Sequence, residues 1–132
     1  MERIKIHFNE SFFSGETRRD FYIEPMMKRA WAAQMEMLMM IDEICERHDI
    51  AYYADWGTLL GAARHGGFIP WDDDIDIAMK REDLKRFIVY AEKELPSEFL
   101  INNVHREAKY KQLFTRVVNR REISFREEDL AR

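Results

Sequence analysis

Four aspartates lie within a five-residue segment, Asp72-Asp73-Asp74-Ile75-Asp76, and their carboxylates could hold a metal ion. If the segment is an extended strand, alternate side chains share a face, so Asp72, Asp74 and Asp76 project together while the isoleucines face the core. Three anions on one face repel one another, and a divalent cation would relieve that repulsion. Hard oxygen ligands suit Mg²⁺ or Mn²⁺. The segment therefore predicts a metal site formed by these three aspartates.

Other interpretations of the acidic segment share part of this pattern. An EF-hand calcium loop would need glycine at position 77 and usually has glutamate at position 83, but the chain has Ile77 and Asp83. A solvated acidic turn fits the composition, but the alternation with isoleucine argues against it. A glycosyltransferase with an Asp-x-Asp motif stays open as an alternative. Enzymes of that kind normally have a βαβ nucleotide-binding half before the motif, and the pattern here does not predict one.

A glycine-threonine pair, Gly57-Thr58, precedes the acidic segment and lies between a predicted strand and a predicted short helix. Glycine would let backbone N–H groups approach a phosphate, and the helix N-terminus would add the positive end of its dipole. Thr58 could donate its hydroxyl or cap the helix. Arg64 carries a guanidinium that matches phosphate geometry. These residues predict a phosphate-binding side of the site, with His65 as a loop residue that lines it.

Three helices are expected to position these motifs. Pro25 suits the first turn of a long helix, and an apolar stripe continues from it to about Asp49. A short helix is predicted from Leu59 to Arg64, and the two glycines that follow end it. A further helix is predicted from about Arg81 to Glu94, with Pro96 shortly after its end.

Strands are predicted between and after these helices. A buried strand is expected at residues 50–54 and a second strand from after Trp71 to near Met79. Further strand candidates are residues 99–101 and 113–118. This order predicts an α/β (α+β) fold in which helices pack on a small mixed sheet. Residues 1–24 are interpreted as an N-terminal extension.

The composition excludes several classes of protein. The chain has 132 residues, of which 46% are hydrophobic, so it is one domain or a piece of one and can bury a core. A net charge of −4 gives no bulk attraction to nucleic acid. No apolar run is long enough to cross a membrane, and the first residues lack the apolar stretch of a signal peptide. We therefore expect no nucleic-acid partner, no membrane span and a cytoplasmic location.

Two further features of the composition bear on the chemistry. Cys45 is the single cysteine and lies on the apolar stripe of the long helix, so we expect a buried, inert thiol and no internal disulfide. Residues 106–126 are rich in basic side chains. Such a stretch suits an anionic substrate, although it would equally fit a solvated surface.

Residues 57–77 read GTLLGAARHGGFIPWDDDIDI, and this segment closely resembles the LicD family. That family includes bacterial phosphocholine transferases and the fukutin-related proteins. The clear resemblance covers about residues 35–93, and residues 114–118 show a weaker similarity. The family resembles a branch of the nucleotidyltransferase superfamily, in which a Gly-Ser or Gly-Thr turn precedes an Asp-x-Asp pair on the second strand.

The resemblance implies a role for each part of the motif. Asp74 and Asp76 would be the catalytic, metal-binding pair, and Asp72 would be an additional ligand. The substrate-binding residues would be Gly57, Thr58, Gly61 and Arg64. The implied reaction transfers a phospho-alcohol such as phosphocholine from a CDP-activated donor to the hydroxyl of a cell-surface glycan, for example lipopolysaccharide or teichoic acid, with Mg²⁺ or Mn²⁺ as cofactor.

The chain departs from the family pattern in one respect. Superfamily members usually have a third carboxylate on a later strand, and the acidic residues Glu127, Glu128 and Asp129 lack the apolar flanks of such a strand. The resemblance thus predicts that residues 25–132 are a LicD-type domain that is incomplete at its C-terminal side, and that the chain alone turns over poorly. A non-catalytic nucleotide- or partner-binding module remains the alternative.

Overall fold

Three helices form the frame of the described part of the chain, which comprises residues 6–103 and 114–120 of a computed structural model. They are α1 (Pro25–Arg47), α2 (Trp56–His65) and α3 (Arg81–Glu94). Pro25 occupies the start of α1. Backbone N–H groups in the first turn of a helix have no acceptor within the helix, so proline loses no hydrogen bond there. The predicted helices at α1 and α3 are confirmed. Helix α2 begins three residues earlier than predicted because Asp55 caps it.

Short strands pair in three separate antiparallel sheets within the described residues. The pairs are β1 (Glu16–Arg18) with β2 (Phe21–Ile23), β3 (Tyr53–Ala54) with β4 (Ile77–Ala78), and β5 (Phe99–Asn102) with β6 (Arg116–Asn119). The predicted mixed α/β class is confirmed, and β5 and β6 correspond to the strand candidates near residues 99–101 and 113–118. In these parts of the chain the strands are not joined into one mixed sheet.

Two predicted strands are shorter than expected. Of residues 50–54 only β3 is paired, and of the strand predicted to follow Trp71 only β4 is formed. Tyr53 is 57% exposed, so β3 is not the buried strand that its apolar sequence indicated. Aspartate is depleted in strands, and like charges on one strand face repel, which explains why the acidic residues before β4 form an irregular loop.

The main core lies between α1, α3 and β5. Its buried side chains include Ile41, Ile44, Cys45, Ile50, Phe87, Ala91 and Ile101. Cys45 is buried as predicted, and burial raises the pKa of its thiol to about 11, so the thiolate is scarce at neutral pH.

None of the helices in the described ranges combines the length and apolar character that crossing a lipid bilayer requires.

The N-terminal hairpin β1–β2 packs beside the first turns of α1. Its turn residues Arg19 and Asp20 both have positive φ angles, 48° and 63°. The buried ammonium group of Lys28 forms an ion pair with Glu16, and Ile23 is completely buried. These contacts fix the hairpin on the same helix that approaches the acidic segment.

The loop that follows α2 folds back along the helix at Gly61. Gly66 ends α2 with a φ of 63°, and the Gly67 amide donates to the Gly61 carbonyl at 3.3 Å. A Cβ at position 61 would lie 2.4 Å from the Gly67 carbonyl oxygen and 3.0 Å from the Ile69 nitrogen. Sequence reasoning assigned Gly61 to substrate binding, whereas the structure places it in this buried contact between helix and loop.

Gly61→Ala should destabilise the fold because the clash is with backbone atoms of the returning loop. Overpacking of this kind costs about 1–3 kcal/mol, which outweighs the ~1 kcal/mol that alanine gains over glycine in a helix. Gly67→Ala is the matched control, since nothing lies within 4 Å of the position that its methyl group would take. Urea unfolding of both variants checks the difference, and equal stability of the two would contradict the packing described.

Candidate metal and phosphate site

Residues 72–76, termed the acidic loop, are held on one side by α1. The buried indole of Trp31 donates its Nε1–H to the Asp72 carbonyl at 2.8 Å, and the Gln34 side-chain amide donates to the Asp73 carbonyl. Trp31 also stacks on Phe68, with ring centroids 4.7 Å apart and nearly parallel planes. Helix α1 therefore fixes the backbone of the loop through two carbonyl groups.

The other side of the acidic loop is fixed by the start of α2. The Asp76 amide donates to the Thr58 hydroxyl oxygen at 2.8 Å, and the Asp55 amide donates to the Asp76 carbonyl at 3.1 Å. Asp55 also caps α2, because its carboxylate accepts the Trp56 amide at 2.9 Å. The loop end and the helix N-terminus thus form one hydrogen-bonded unit.

The carboxylates of the acidic loop converge although the loop is not a strand. Asp72, Asp73 and Asp74 each offer an oxygen, and these oxygens lie within 4.8 Å of one another. The prediction of a strand face with every second aspartate on it is wrong for residues 72–76, since β4 begins only at Ile77. The irregular loop brings neighbouring carboxylates together, so the group contains Asp73 and does not contain the predicted Asp76.

The pKa values of Asp74 and Asp76 are raised, as expected for carboxylates that lie close to one another. Partial burial raises the pKa of Asp74, and the nearby charges of Asp76, Asp72 and Asp73 raise it further. Partial burial also raises the pKa of Asp76, with the charges of Asp72 and Asp55 adding to it. Negative charge is therefore disfavoured at both aspartates, and a cation bound between them would reverse that effect.

Gly57 has no side chain, and the carboxylate of Asp72 packs against it. A Cβ on Gly57 would lie 2.3 Å from Oδ2 of Asp72, so a side chain there would displace Asp72. Gly57 and Thr58 belong to the first turn of α2 rather than to a turn before it, and first-turn amides have no intrahelical acceptor. The Thr58 hydroxyl accepts a hydrogen bond from Asp76 and keeps its own proton to donate.

Arg64 and His65 lie at the opposite end of α2 from the acidic loop. Arg64 is exposed and is about 10 Å along the helix axis from Gly57, at 1.5 Å per residue. His65 makes an edge contact with Trp71 at 6.2 Å between ring centroids. The structure therefore brings the carboxylates of Asp72, Asp73 and Asp74 together and links Asp76 to Thr58 through its amide. Arg64 belongs to the last turn of α2, at the other end of that helix.

Asp55 was missed as a site residue by sequence reasoning. Its position two residues before Gly57 is a signal for a helix cap, and its charge acts on Asp76. The anchoring role of Trp31 had no comparable signal, because an indole on an apolar helix stripe predicts only core packing. The acidic residues Glu127, Glu128 and Asp129 lie outside the described residues.

Comparison of the sequence with known proteins identifies a family. The family described as LicD/FKTN/FKRP, nucleotidyltransferase domain, matches residues 49–130, which is more than half of the chain and includes the whole acidic loop. The chain belongs to the LicD family. The match begins just after α1, the helix that holds the acidic loop.

Individual relatives match over shorter segments. The lipopolysaccharide cholinephosphotransferase LicD of Haemophilus influenzae is 50% identical over 54 residues, which are 41% of this chain and 20% of that protein. The ribitol 5-phosphate transferases FKRP of Homo sapiens and Mus musculus are each 46% identical over 41 residues, 31% of this chain and 8% of theirs. The matched part of the chain thus spans a fifth or less of these relatives. No solved structure gives a significant match.

Gln34→Met should loosen the acidic loop while leaving the fold intact. Methionine keeps the length of the side chain but cannot donate to the Asp73 carbonyl, an exposed hydrogen bond whose loss costs about 1 kcal/mol or less. We expect a small change in the free energy of unfolding and a severalfold weaker Mg²⁺ affinity by calorimetry. Glu36→Gln, an exposed change on the same helix, is the control. Unchanged Mg²⁺ affinity in Gln34→Met would show that this anchor is not needed.

Proposed function

We propose that the acidic loop binds Mg²⁺ or Mn²⁺ through Asp72, Asp74 and Asp76. The observation that carries this proposal is the convergence of the Asp72, Asp73 and Asp74 carboxylates on a loop whose backbone is fixed by both α1 and α2. Asp76 lies outside that group of three, but its charge acts on Asp74 and the charge of Asp72 acts on it. Crowded carboxylates raise one another's pKa, and hard oxygen donors are the ligands that these ions prefer. Asp73 and Asp55 would add negative charge around the ion.

The phosphate side of the proposed site is the N-terminal end of α2. The amides of Gly57 and Thr58 and the proton of the Thr58 hydroxyl are available donors next to the carboxylates. A helix N-terminus favours anions, and a metal ion on the acidic loop would attract the same phosphate oxygens. Arg64 lies about 10 Å along the axis of α2 from Gly57, at 1.5 Å per residue, so its predicted contact with a phosphate is a separate part of the proposal.

The function supported best is transfer of a phospho-alcohol. The relatives are named as transferases of choline phosphate and of ribitol 5-phosphate, both phosphorylated alcohols. We propose a CDP-activated donor and a glycan hydroxyl as acceptor. The acceptor oxygen would form a new bond to the phosphorus that carries the alcohol, CMP would leave with the electrons of the broken bond, and the hydroxyl proton would pass to a base. When bound, the metal ion would supply charge neutralisation at the phosphoryl oxygens.

The double variant Asp74→Asn, Asp76→Asn should abolish Mg²⁺ binding in calorimetry and keep the fold. Without metal the variant should melt at a higher temperature than the wild type at pH 7, because both aspartates have raised pKa values and their ionisation opposes folding. That advantage should shrink as the pH falls and the wild-type carboxyls become protonated. The pair Glu82→Gln, Asp83→Asn on α3 is a control for lost charge. These two carboxylates form ion pairs with Lys85 and Arg86, so this variant should melt no higher than the wild type.

Two results would contradict the proposal. Unchanged Mg²⁺ affinity in the Asp74, Asp76 double variant would exclude the acidic loop as the metal site. For the reaction, the test is CMP release from CDP-choline with a sugar acceptor and Mg²⁺. If the wild type and the double variant release CMP equally fast, the activity does not depend on the carboxylates of Asp74 and Asp76.

A further inference from the structure

A cavity lies apart from the acidic loop, between residues 7–12, the β1–β2 hairpin and the first turns of α1. Its volume is about 430 Å³, which is in the usual range for sites that bind small molecules. Among the described residues, the polar side chains that line it are His7, Asn9, Ser11, Glu16, Arg18 and Lys28. The family match begins only at residue 49, so neither the family nor the proposed function assigns a role to this cavity.

Lys28 supplies a buried positive charge at one wall of the cavity. The residue is 2% exposed, and lysines are rarely buried to this extent unless they are paired. Its ammonium group contacts the Glu16 carboxylate and lies 5.0 Å from the centroid of the Phe12 ring. An ammonium group has three N–H donors, and the face of an aromatic ring attracts the charge without accepting a full hydrogen bond. Lys28 thus has donor capacity beyond its contact with Glu16.

Arg18 supplies a second positive charge beside the first. Its guanidinium and the Lys28 ammonium contact the same atom, Oε1 of Glu16, so the two cationic groups are neighbours. Their hydrogen bonds to Glu16 lower the pKa of that carboxyl, which is therefore ionised at neutral pH. Glu16 is the sole acidic residue among the described residues that line the cavity. One carboxylate offsets one of the two positive charges, and the cavity keeps a net positive charge.

The charge and the hydrogen-bonding groups of the lining favour an anion over other ligands. The surplus positive charge repels a metal ion or a cationic alcohol. Arg18 and Lys28 only donate hydrogen bonds, and Glu16 only accepts them. The Ser11 hydroxyl and the Asn9 amide add further donors. A phosphate group has more acceptor oxygens than a carboxylate and matches the planar fork of a guanidinium, so this donor-rich lining suits phosphate better.

We infer that this cavity is an anion site, separate from the phosphate side proposed at α2, and that it binds a phosphate group between Arg18 and Lys28. Glu16 holds the two cationic groups together when no ligand is bound. A bound phosphate accepts hydrogen bonds from both and joins the segment before β1, β1 itself and α1. This inference does not depend on the proposed function of the acidic loop. The phosphate group can come from inorganic phosphate or from a phosphorylated sugar.

The test is a titration of the full 132-residue chain, labelled with ¹⁵N, with inorganic phosphate at constant ionic strength and without divalent ions. The acidic loop then repels phosphate, so amide shifts that centre on residues 7–18 and on Lys28 report this cavity. Arg18→Gln removes the surplus charge and keeps the buried Lys28–Glu16 pair, so the fold should persist. We expect this variant to bind phosphate about 10- to 150-fold more weakly, as for a lost charge-assisted hydrogen bond. Lys85→Gln, an exposed change on α3, removes the same charge elsewhere and should bind phosphate as the wild type does.

Glu16→Gln makes the opposite change to the cavity. Glutamine keeps the shape of the side chain and removes the competing negative charge, so phosphate should bind severalfold more tightly. Adding phosphate should also raise the melting temperature of this variant by more than that of the wild type. Glucose 1-phosphate separates the two sources. Tighter binding than inorganic phosphate, with further shifts at Phe8 and Phe12, identifies a phosphorylated sugar, and equal or weaker binding identifies phosphate itself.

Several results would overturn the inference. Phosphate shifts that centre outside residues 7–18 would show that the cavity is not the site. If Arg18→Gln binds phosphate as the wild type does, or if Lys85→Gln weakens binding equally, the pair of cations does not form it. If acetate binds as tightly as phosphate, the lining does not select a phosphate group. If phosphate stabilises Glu16→Gln no more than the wild type, the anion does not contact the two cations.

Discussion

Mutual repulsion among the aspartates of residues 72–76 is the constraint on which the site depends. Carboxylates packed this closely would separate if the backbone were free, so the chain must hold them by contacts that do not involve their charge. The structure does this at the main chain. Trp31, Gln34 and Thr58 bind carbonyl or amide groups of the loop. These three contacts leave the carboxylates unused, although Asp72 Oδ1 accepts the Asp73 amide at 3.1 Å.

This arrangement gives α1 a role that its apolar stripe alone does not reveal. One part of the helix packs against α3 around Ile44 and Cys45, and its earlier turns carry Trp31 and Gln34 to the acidic loop. The same turns support the N-terminal hairpin, whose Phe21 meets Trp71 at the edge of the site. Core packing and site geometry are thereby coupled through one rigid element.

The sequence predicted the parts of this structure that local patterns control. Apolar periodicity and Pro25 predicted α1, and similar periodicity predicted α3. The acidic segment was recognised from the spacing of its aspartates, but its conformation was predicted wrongly, because strand alternation assumes that the segment is paired. Whether residues 72–76 pair depends on their repulsion and on tertiary anchors from Trp31 and Thr58, which are distant in sequence. Asp55 and Gly61 likewise acquire their roles only through contacts across the fold.

The central claim is that the proposed cation site lies on the acidic loop, beside the start of α2, and Mn²⁺ tests it most directly. In a ¹⁵N-labelled sample, a bound Mn²⁺ ion broadens the amide signals of residues near it. We expect substoichiometric Mn²⁺ to broaden residues 55–58 and 72–77 first and to leave β5 and β6 sharp. Broadening that centres on the acidic first turn of α3, at Glu82 and Asp83, or that spreads evenly over exposed carboxylates, would contradict the claim.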